Sequence, residues 1–378
     1  MSKKLIIGVD IRDLRIAKTG TKTYLEELCK EFKRLENEQF SFHFLDTCIP
    51  VYTGEKKLLK LIEHLRYQIW KQCLLPVKAW IKSCDVLFCT DNVVPYIHLG
   101  YETVPVFHDA FFFEDPNHYN KTWLWLLLKT AVPAALRSFA VITPTEYAKK
   151  RIIHFTGLSP EKIIPIYEGP KTFYPYLTGE AELLLAQFEL QKKKYLLHVG
   201  VMNKRKNIPA LIRAFYLMKK TGYSDLKLVL TGNKVSKKHS NDYLEISDTI
   251  ARLGLEDQVI FTGYLSDQQL GHIYKNALLY VFPSVNEGFG IPILEAFYHQ
   301  IPVLVADNTC LPEVGGDAVL TFNPFSDAEI ADTIKKVVND PDLQRKLIDK
   351  GNERLIKFSW ENTAKELLTV FKSSQTKC

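Results

Sequence analysis

Glu287-Gly288-Phe289-Gly290-Ile291-Pro292-Ile293-Leu294-Glu295 follows the apolar run Leu278-Leu279-Tyr280-Val281-Phe282-Pro283-Ser284 directly. The run reads as a buried strand, and the residues after Gly290 read as a helix. Gly288 and Gly290 let the backbone approach a ligand closely. Pro292 suits the first helical turn, where its missing N–H costs nothing. Free amides at that helix start face an anion or a sugar hydroxyl. Glu295 lies one turn into the helix, and its two acceptor oxygens suit the vicinal diol of a ribose. Glu287 stands before the turn, placed to contact a hexose. Strand, glycine loop and helix in this order make one βα unit of a parallel sheet.

The same alternation runs through the chain on both sides. Before it, strands are expected at 4–10, 40–45, 84–89, 103–107, 139–143 and 163–167, with helices at 21–36, 121–138 and 146–155. Tyr24, Leu25, Leu28, Phe32 and Leu35 share one face of the first helix, and Thr145 caps the third. A Pro- and Gly-rich stretch, 169–180, reads as a linker. After it come strands at 195–200, 227–231, 258–262, 278–282, 302–305 and 318–321, with helices at 207–220, 241–253, 267–275, 291–299, 326–339, 342–356 and 361–372. Two alternating series imply an α/β protein of two doubly wound, Rossmann-like domains. The expected boundaries are 1–172 for an N-terminal domain, 173–360 for a C-terminal domain, and 361–378 for a last helix crossing back to the first. Ligands of such sheets sit at the carboxyl ends of the strands, so a cleft between the domains is the expected site.

Length and composition agree. With 378 residues, 46% hydrophobic and 24% charged, the chain has apolar material for two cores, which excludes a disordered or fibrous protein. No run reaches the ~18 apolar residues of a membrane span, and the N-terminus lacks a signal-peptide pattern, so the reading is cytoplasmic. Seven cysteines without a CxxC leave neither a zinc site nor a disulfide framework. The net charge is +6, and residues 56–82 alone hold seven basic residues and one acidic. Leucines and Trp70 and Trp80 interleave with those cations. The segment reads as a helix packed on the core of the N-terminal domain, or as an interfacial helix on an anionic membrane. The tryptophans of 122–132, Trp123 and Trp125, read as core. Nucleic acid is excluded as a partner, because no binding motif accompanies the charge.

Five stretches in this order resemble the retaining family 4 glycosyltransferases of GT-B architecture. They are Thr19-Gly20-Thr21-Lys22-Thr23-Tyr24, His108-Asp109, Thr143-Pro144-Thr145-Glu146-Tyr147, Gly200 through Lys206-Asn207, and Glu287 to Glu295. The form of the last leans toward mannosyl- and rhamnosyl-type relatives. The resemblance implies a hexose moved from a GDP- or UDP-sugar to a hydroxyl of a glycan or lipid-linked acceptor. Retention would follow front-face attack, with no metal and no cofactor. It assigns Glu287, His108, Arg205 and Lys206 to catalysis. Gly20, Thr21, Gly200, Tyr264, Leu265, Gly288, Phe289, Gly290, Ile291 and Glu295 join Arg205, Lys206 and Glu287 in holding the donor. His108 and Asp109 would meet the acceptor, and Asp109 either orients the imidazole or caps the next turn. The family's loop often has a second glycine after Gly20; here Thr21 and Lys22 stand there.

The cations make chemical sense without the family. A departing nucleoside diphosphate gathers negative charge, and fixed cations stabilise it. Two rivals are an epimerase on the same architecture and a non-catalytic sugar-nucleotide or membrane-binding protein. Several motifs are decoys. Asp340-Pro341-Asp342 has the form of a metal-binding DxD but reads as a helix cap, and Asn120-Lys121-Thr122 is a chance sequon. Neither GxGxxG nor GxxxxGK[ST] occurs, which argues against dehydrogenase and P-loop chemistry. The expected place of work is the cytoplasm, extending to the inner face of the cell membrane.

Overall fold

The structure, a computed structural model, describes residues 3–17, 20–54, 56–116, 121–172, 179–232 and 241–375. The chain falls into two compact units: Met1–Gly169 with Ser359–Cys378, and Pro170–Phe358. The sequence boundaries at 172 and 360 lie a few residues downstream of these. Positions 173–178 of the expected linker, Thr19 of the first motif and Asn120 of the sequon lie outside the described residues.

The first unit runs β1 (Leu5–Asp10), α1 (Gly20–Leu35), β2 (Phe40–Leu45), α2 (Lys57–Ile69), a π-helical turn (Trp70–Leu74), α3 (Leu75–Ile81), β3 (Val86–Cys89), β4 (Glu102–Pro105), α4 (Phe111–Glu114), α5 (Lys121–Arg137), β5 (Val141–Thr143), α6 (Glu146–Thr156) and β6 (Ile163–Pro165). Its sheet is parallel in the order β2-β1-β3-β4. A bridge between Val106 and Ile142 passes to the parallel pair β5-β6. Buried β-branched and aromatic residues explain the strands: Ile7, Val9, Val86, Phe88 and Val104 are closed off from solvent on both faces. Thr145 caps α6 by accepting from the Ala148 amide.

The second unit runs α7 (Glu180–Gln187), β7 (Tyr195–Val199), α8 (Ile208–Lys219), β8 (Lys227–Thr231), α9 (Asn241–Leu253), β9 (Val259–Gly263), α10 (Asp267–Asn276), β10 (Leu279–Phe282), α11 (Ile291–Tyr298), β11 (Val303–Ala306), α12 (Leu311–Gly315), β12 (Val319–Phe322), α13 (Asp327–Val338) and α14 (Pro341–Leu355). Its six strands are all parallel, in the order β12-β11-β10-β7-β8-β9. The Asp340 carboxylate caps α14 by accepting from the Leu343 amide, so the DxD is a helix start.

Helix α15 (Trp360–Gln375) belongs to the first unit. Its Leu367 and Phe371 enter the same core cluster as Phe32 and Phe88. Thr363 donates to the Tyr167 carbonyl at 2.6 Å, which fastens the helix beside the chain's exit from β6.

Two expectations need correction. The segment 56–82 is helical, but α2 has no buried residue and does not lay its leucines on the core. Trp125 is exposed, because α5 turns Leu124, Leu127 and Ala131 inward instead.

Candidate functional site

In the second unit the strand order places β7 between β8 and β10. Chain connections leave β7 and β10 in opposite directions, which opens a crevice at their carboxyl ends. The turn after β7 carries Gly200, Arg205 and Lys206, and the loop after β10 carries Ser284 and Glu287. The two loops meet. Lys206 Nζ is ion-paired with Glu287 Oε1, Arg205 Nη1 stands 3.8 Å from Glu287 Oε2, and Ser284 Oγ is 2.6 Å from Glu287 Oε1. The Val285 amide donates to the Arg205 carbonyl at 2.8 Å, locking loop to turn. Glu287 and Lys206 are buried, while the Arg205 side chain keeps 30% of its surface open. The pair therefore has one open cation at its edge.

Burial would push the Glu287 carboxyl up. Lys206, Arg205 and the Ser284 hydroxyl outweigh that and hold it below the ordinary carboxylate value. Lys206 is pulled below its ordinary value by burial, with Glu287 opposing and Arg205 assisting. Lys206 Nζ also lies 4.8 Å from the centre of the Phe282 ring, whose face favours a cation.

Glycines make the close approach possible. Gly290 has φ +106°, and a Cβ there would come within 2.9 Å of Leu311 Cδ2. At Gly232, φ is +141° and a Cβ would come within 2.0 Å of the Gly200 carbonyl oxygen, so the loops after β7 and β8 touch backbone to backbone.

Glu295 is buried in α11, where Tyr274 of α10 donates its hydroxyl to Oε2 at 2.9 Å. Burial raises the carboxyl above its ordinary value. Tyr274 and Lys171 oppose the rise, and Asp267 adds to it. Lys171 Nζ is itself paired with Asp267 Oδ1 at 2.5 Å. Neither Tyr274 nor Lys171 is marked by any spacing in the sequence. Three other predicted donor residues serve differently. Phe289 packs edge-on against Phe358 at 5.9 Å, and Ile291 and Leu265 are buried, so these side chains belong to the core. Their part in a site is confined to the backbone. Tyr264 is 73% exposed after β9.

In the first unit Gly20 and Thr21 are the first two residues of α1, which follows β1. His108 follows β4. Its Nε2 is 3.0 Å from the Thr90 carbonyl oxygen, its Nδ1 is 3.6 Å from Glu168 Oε1, and Tyr24 meets its ring edge-on at 4.8 Å. Burial disfavours the charged imidazole, but Glu168 and the Thr90 carbonyl outweigh it and its pKa is raised above 6.5. Asp109 does not take the orienting hydrogen bond. Its Oδ1 accepts from the Phe111 amide at 3.0 Å and caps the short α4, while Glu168 approaches the ring. Glu168 lies far away in sequence, beyond β6, and no spacing announces it.

Among the described residues no group of three or more His, Cys, Asp or Glu side chains is placed to hold a metal ion. No helix among them is long and apolar enough to cross a membrane.

Residues 182–354 match the family model of glycosyl transferases group 1. They contain β7 to α14, and with them the Lys206–Glu287 loops. That part of the chain is a glycosyl transferases group 1 domain. The glycosyltransferase is 28% identical over 270 residues to O-antigen chain mannosyltransferase B of Escherichia coli, covering 71% of this chain and 70% of that protein. It is 29% identical over 285 residues to the serotype-specific mannosyltransferase WbdA of Escherichia coli, and the match takes in 72% of this chain but 33% of that protein. The chain thus spans about a third of WbdA. Among solved structures, sucrose-phosphate synthase from Thermosynechococcus elongatus superposes with a TM-score of 0.77 at 16% identity, over 99% of this chain and 100% of that one. At that identity the likeness concerns the fold, which is GT-B with two Rossmann-like domains.

Proposed function

We propose that this glycosyltransferase moves a hexose, with retention at the anomeric carbon and without a metal ion, from a nucleoside diphosphate sugar to a hydroxyl of a glycan or lipid-linked acceptor. The observation that carries the reading is the Arg205–Lys206–Glu287 cluster at the carboxyl ends of β7 and β10. Two cations beside one carboxylate leave net positive charge where a diphosphate would depart. In the transfer, the bond from the anomeric carbon to the diphosphate oxygen breaks and a bond from the acceptor oxygen forms on the same face. The acceptor proton passes to the departing phosphate oxygen, so no protein base is consumed. Arg205, Lys206 and the amides at the start of α11 stabilise the leaving group. Glu287 orients the sugar, Glu295 the ribose, and His108 lies on the side of the sugar or acceptor.

The donor favoured is GDP-mannose, since the relatives matched over most of this chain or a third of theirs carry mannosyltransferase names; UDP-sugars are the comparison. A surface glycan or lipid-linked sugar is the acceptor, and the enzyme works at the inner face of the membrane. Mass spectrometry of products from a panel of GDP- and UDP-sugars, with and without a lipid-diphosphate acceptor, tests all of this. Donor turnover without an acceptor product would refute transfer, and an inverted anomeric centre by NMR would refute retention.

A further inference from the structure

Helix α2 is inverted. Leu58, Leu61, Ile62, Leu65 and Ile69 follow the spacing of one helical face, the face that ordinarily packs on a core. Here each is 43–68% exposed. The opposite, polar face is the one attached to the protein. Glu63 Oε1 accepts from Arg12 at 2.6 Å and Glu63 Oε2 from the Tyr52 amide at 3.2 Å. Tyr67 donates to Asp91 Oδ2 at 2.5 Å.

The attachment continues through the π-helical turn. Lys71, 1% exposed, pairs with Asp10 at 2.6 Å and Asp91 at 2.5 Å, and Trp70 Nε1 donates to Asp10 at 3.1 Å. The extra residue of a π turn rotates the face presented by the next helix. Helix α3 accordingly buries Leu75 and Ala79 and leaves Val77, Trp80 and Ile81 exposed, at 45%, 62% and 64%. The two helices are thus anchored through polar contacts and leave apolar side chains exposed. Lysines 56, 57, 60 and 82 are exposed around them.

We propose that α2 and α3 dock this enzyme in the plane of an anionic lipid bilayer, with the Leu58–Ile69 stripe and Trp80 among the acyl chains and the lysines at the headgroups. The inference deepens the membrane part of the proposed function and rests on that part alone. Charge selects this occupant. A second copy of the chain would bring the exposed lysines 56, 57, 60 and 82 against their own counterparts, whereas an anionic surface neutralises them. The helix is too short and too charged to span, and an apolar stripe flanked by lysines lies in the interface. Docking of this kind would hold the carboxyl ends of β1 and β3, which carry Asp10 and Asp91, beside the headgroups.

Co-sedimentation with vesicles of phosphatidylglycerol mixed with phosphatidylcholine, and of phosphatidylcholine alone, tests it. The wild type should bind the anionic vesicles, and less well as salt rises. The double variant Leu61→Asp/Leu65→Asp should lose at least about tenfold in partitioning. Each of Lys57→Glu and Lys60→Glu should cost roughly fivefold or more. These positions are exposed, so thermal unfolding should not move. Should the leucine variant unfold, Trp80→Phe in the otherwise native chain decides: the wild type should show a fluorescence blue shift on anionic vesicles that this variant loses in part. Equal binding by wild type and variants, or no wild-type binding, overturns the proposal. So does a lipid-free dimer that the leucine variant abolishes. Stabilisation by GDP or UDP, read on the same samples, depends on the donor loops and not on this surface.

Discussion

Lys206 and Glu287, 81 residues apart in the chain, form a buried ion pair at the carboxyl ends of β7 and β10. A buried carboxylate with this partner cannot be altered quietly. Glu287→Ala leaves Lys206 charged and unpaired, which costs about 3–5 kcal/mol. Transfer should fall by orders of magnitude and the unfolding temperature should drop with it. Glu287→Gln separates the two effects, since it keeps the shape and some hydrogen bonding. Near-normal turnover by Glu287→Ala would remove Glu287 from the reaction. The pH dependence has a definite sign. The folded carboxyl lies below its ordinary 4.5, so its contribution to stability is complete above 4.5 and is lost as pH falls through the folded value.

Arg205 and Lys206 should part company in their effects. The Arg205 side chain is 30% exposed and 3.8 Å from Glu287, so Arg205→Met should leave unfolding almost unchanged while removing most of the stabilisation by GDP or UDP. Lys206→Met should lose both. A thermal-shift titration of the two variants with each nucleoside diphosphate reads the difference, and identical behaviour would place the anion elsewhere.

Tyr274→Phe tests the positioning of Glu295. It removes the hydroxyl that donates to Oε2, and leaving that buried oxygen without a donor costs about 1–3 kcal/mol. A purely structural role predicts lower stability with unchanged kinetics. A positioning role predicts a raised KM for the nucleotide sugar with kcat largely kept, measured with saturating acceptor.

His108 should titrate above 6.5 by NMR in the wild type. In Glu168→Gln the carboxylate is gone while burial remains, so the midpoint should fall. The raised pKa makes the His108–Glu168 contact stabilising below 6.5, and that contribution disappears as pH rises through the folded value. A midpoint unchanged by Glu168→Gln would show that another group holds the proton.

Gly290→Ala should destabilise by about 1–3 kcal/mol, because alanine resists φ +106° and its methyl would press on Leu311. Chemical denaturation measures the loss. Gly288→Ala, where no left-handed backbone is needed, is the control and should cost less.

The chain itself carried the local decisions. Alternation of apolar runs with amphipathic segments set the βα order, because each strand of a two-sided sheet must be apolar throughout and each helix must be so on one side. Glycines at 288 and 290 before Pro292 marked the loop that leads into α11. Lys206 and Glu287 were legible as chemistry-bearing residues because each lies in the segment that follows a strand. What the spacing could not convey is partnership across the sheet. The order β10-β7-β8 brought Glu287 to Lys206, the return of the chain after β6 brought Glu168 rather than Asp109 to His108, and the packing of α10 on α11 supplied Tyr274 to Glu295.

The clearest division lies at 56–82. Periodicity alone establishes that an amphipathic helix forms there, since side chains three and four apart share a face whatever surrounds them. It does not say which face turns inward. Only the tertiary structure decided that, because Asp10, Asp91 and Arg12 at the ends of β1 and β3 offer charged partners, and Glu63, Tyr67 and Lys71 satisfy them. Leaving those buried charges unpaired would cost more than leaving a row of leucines exposed. The polar face went in, and the apolar face was left for something outside the chain.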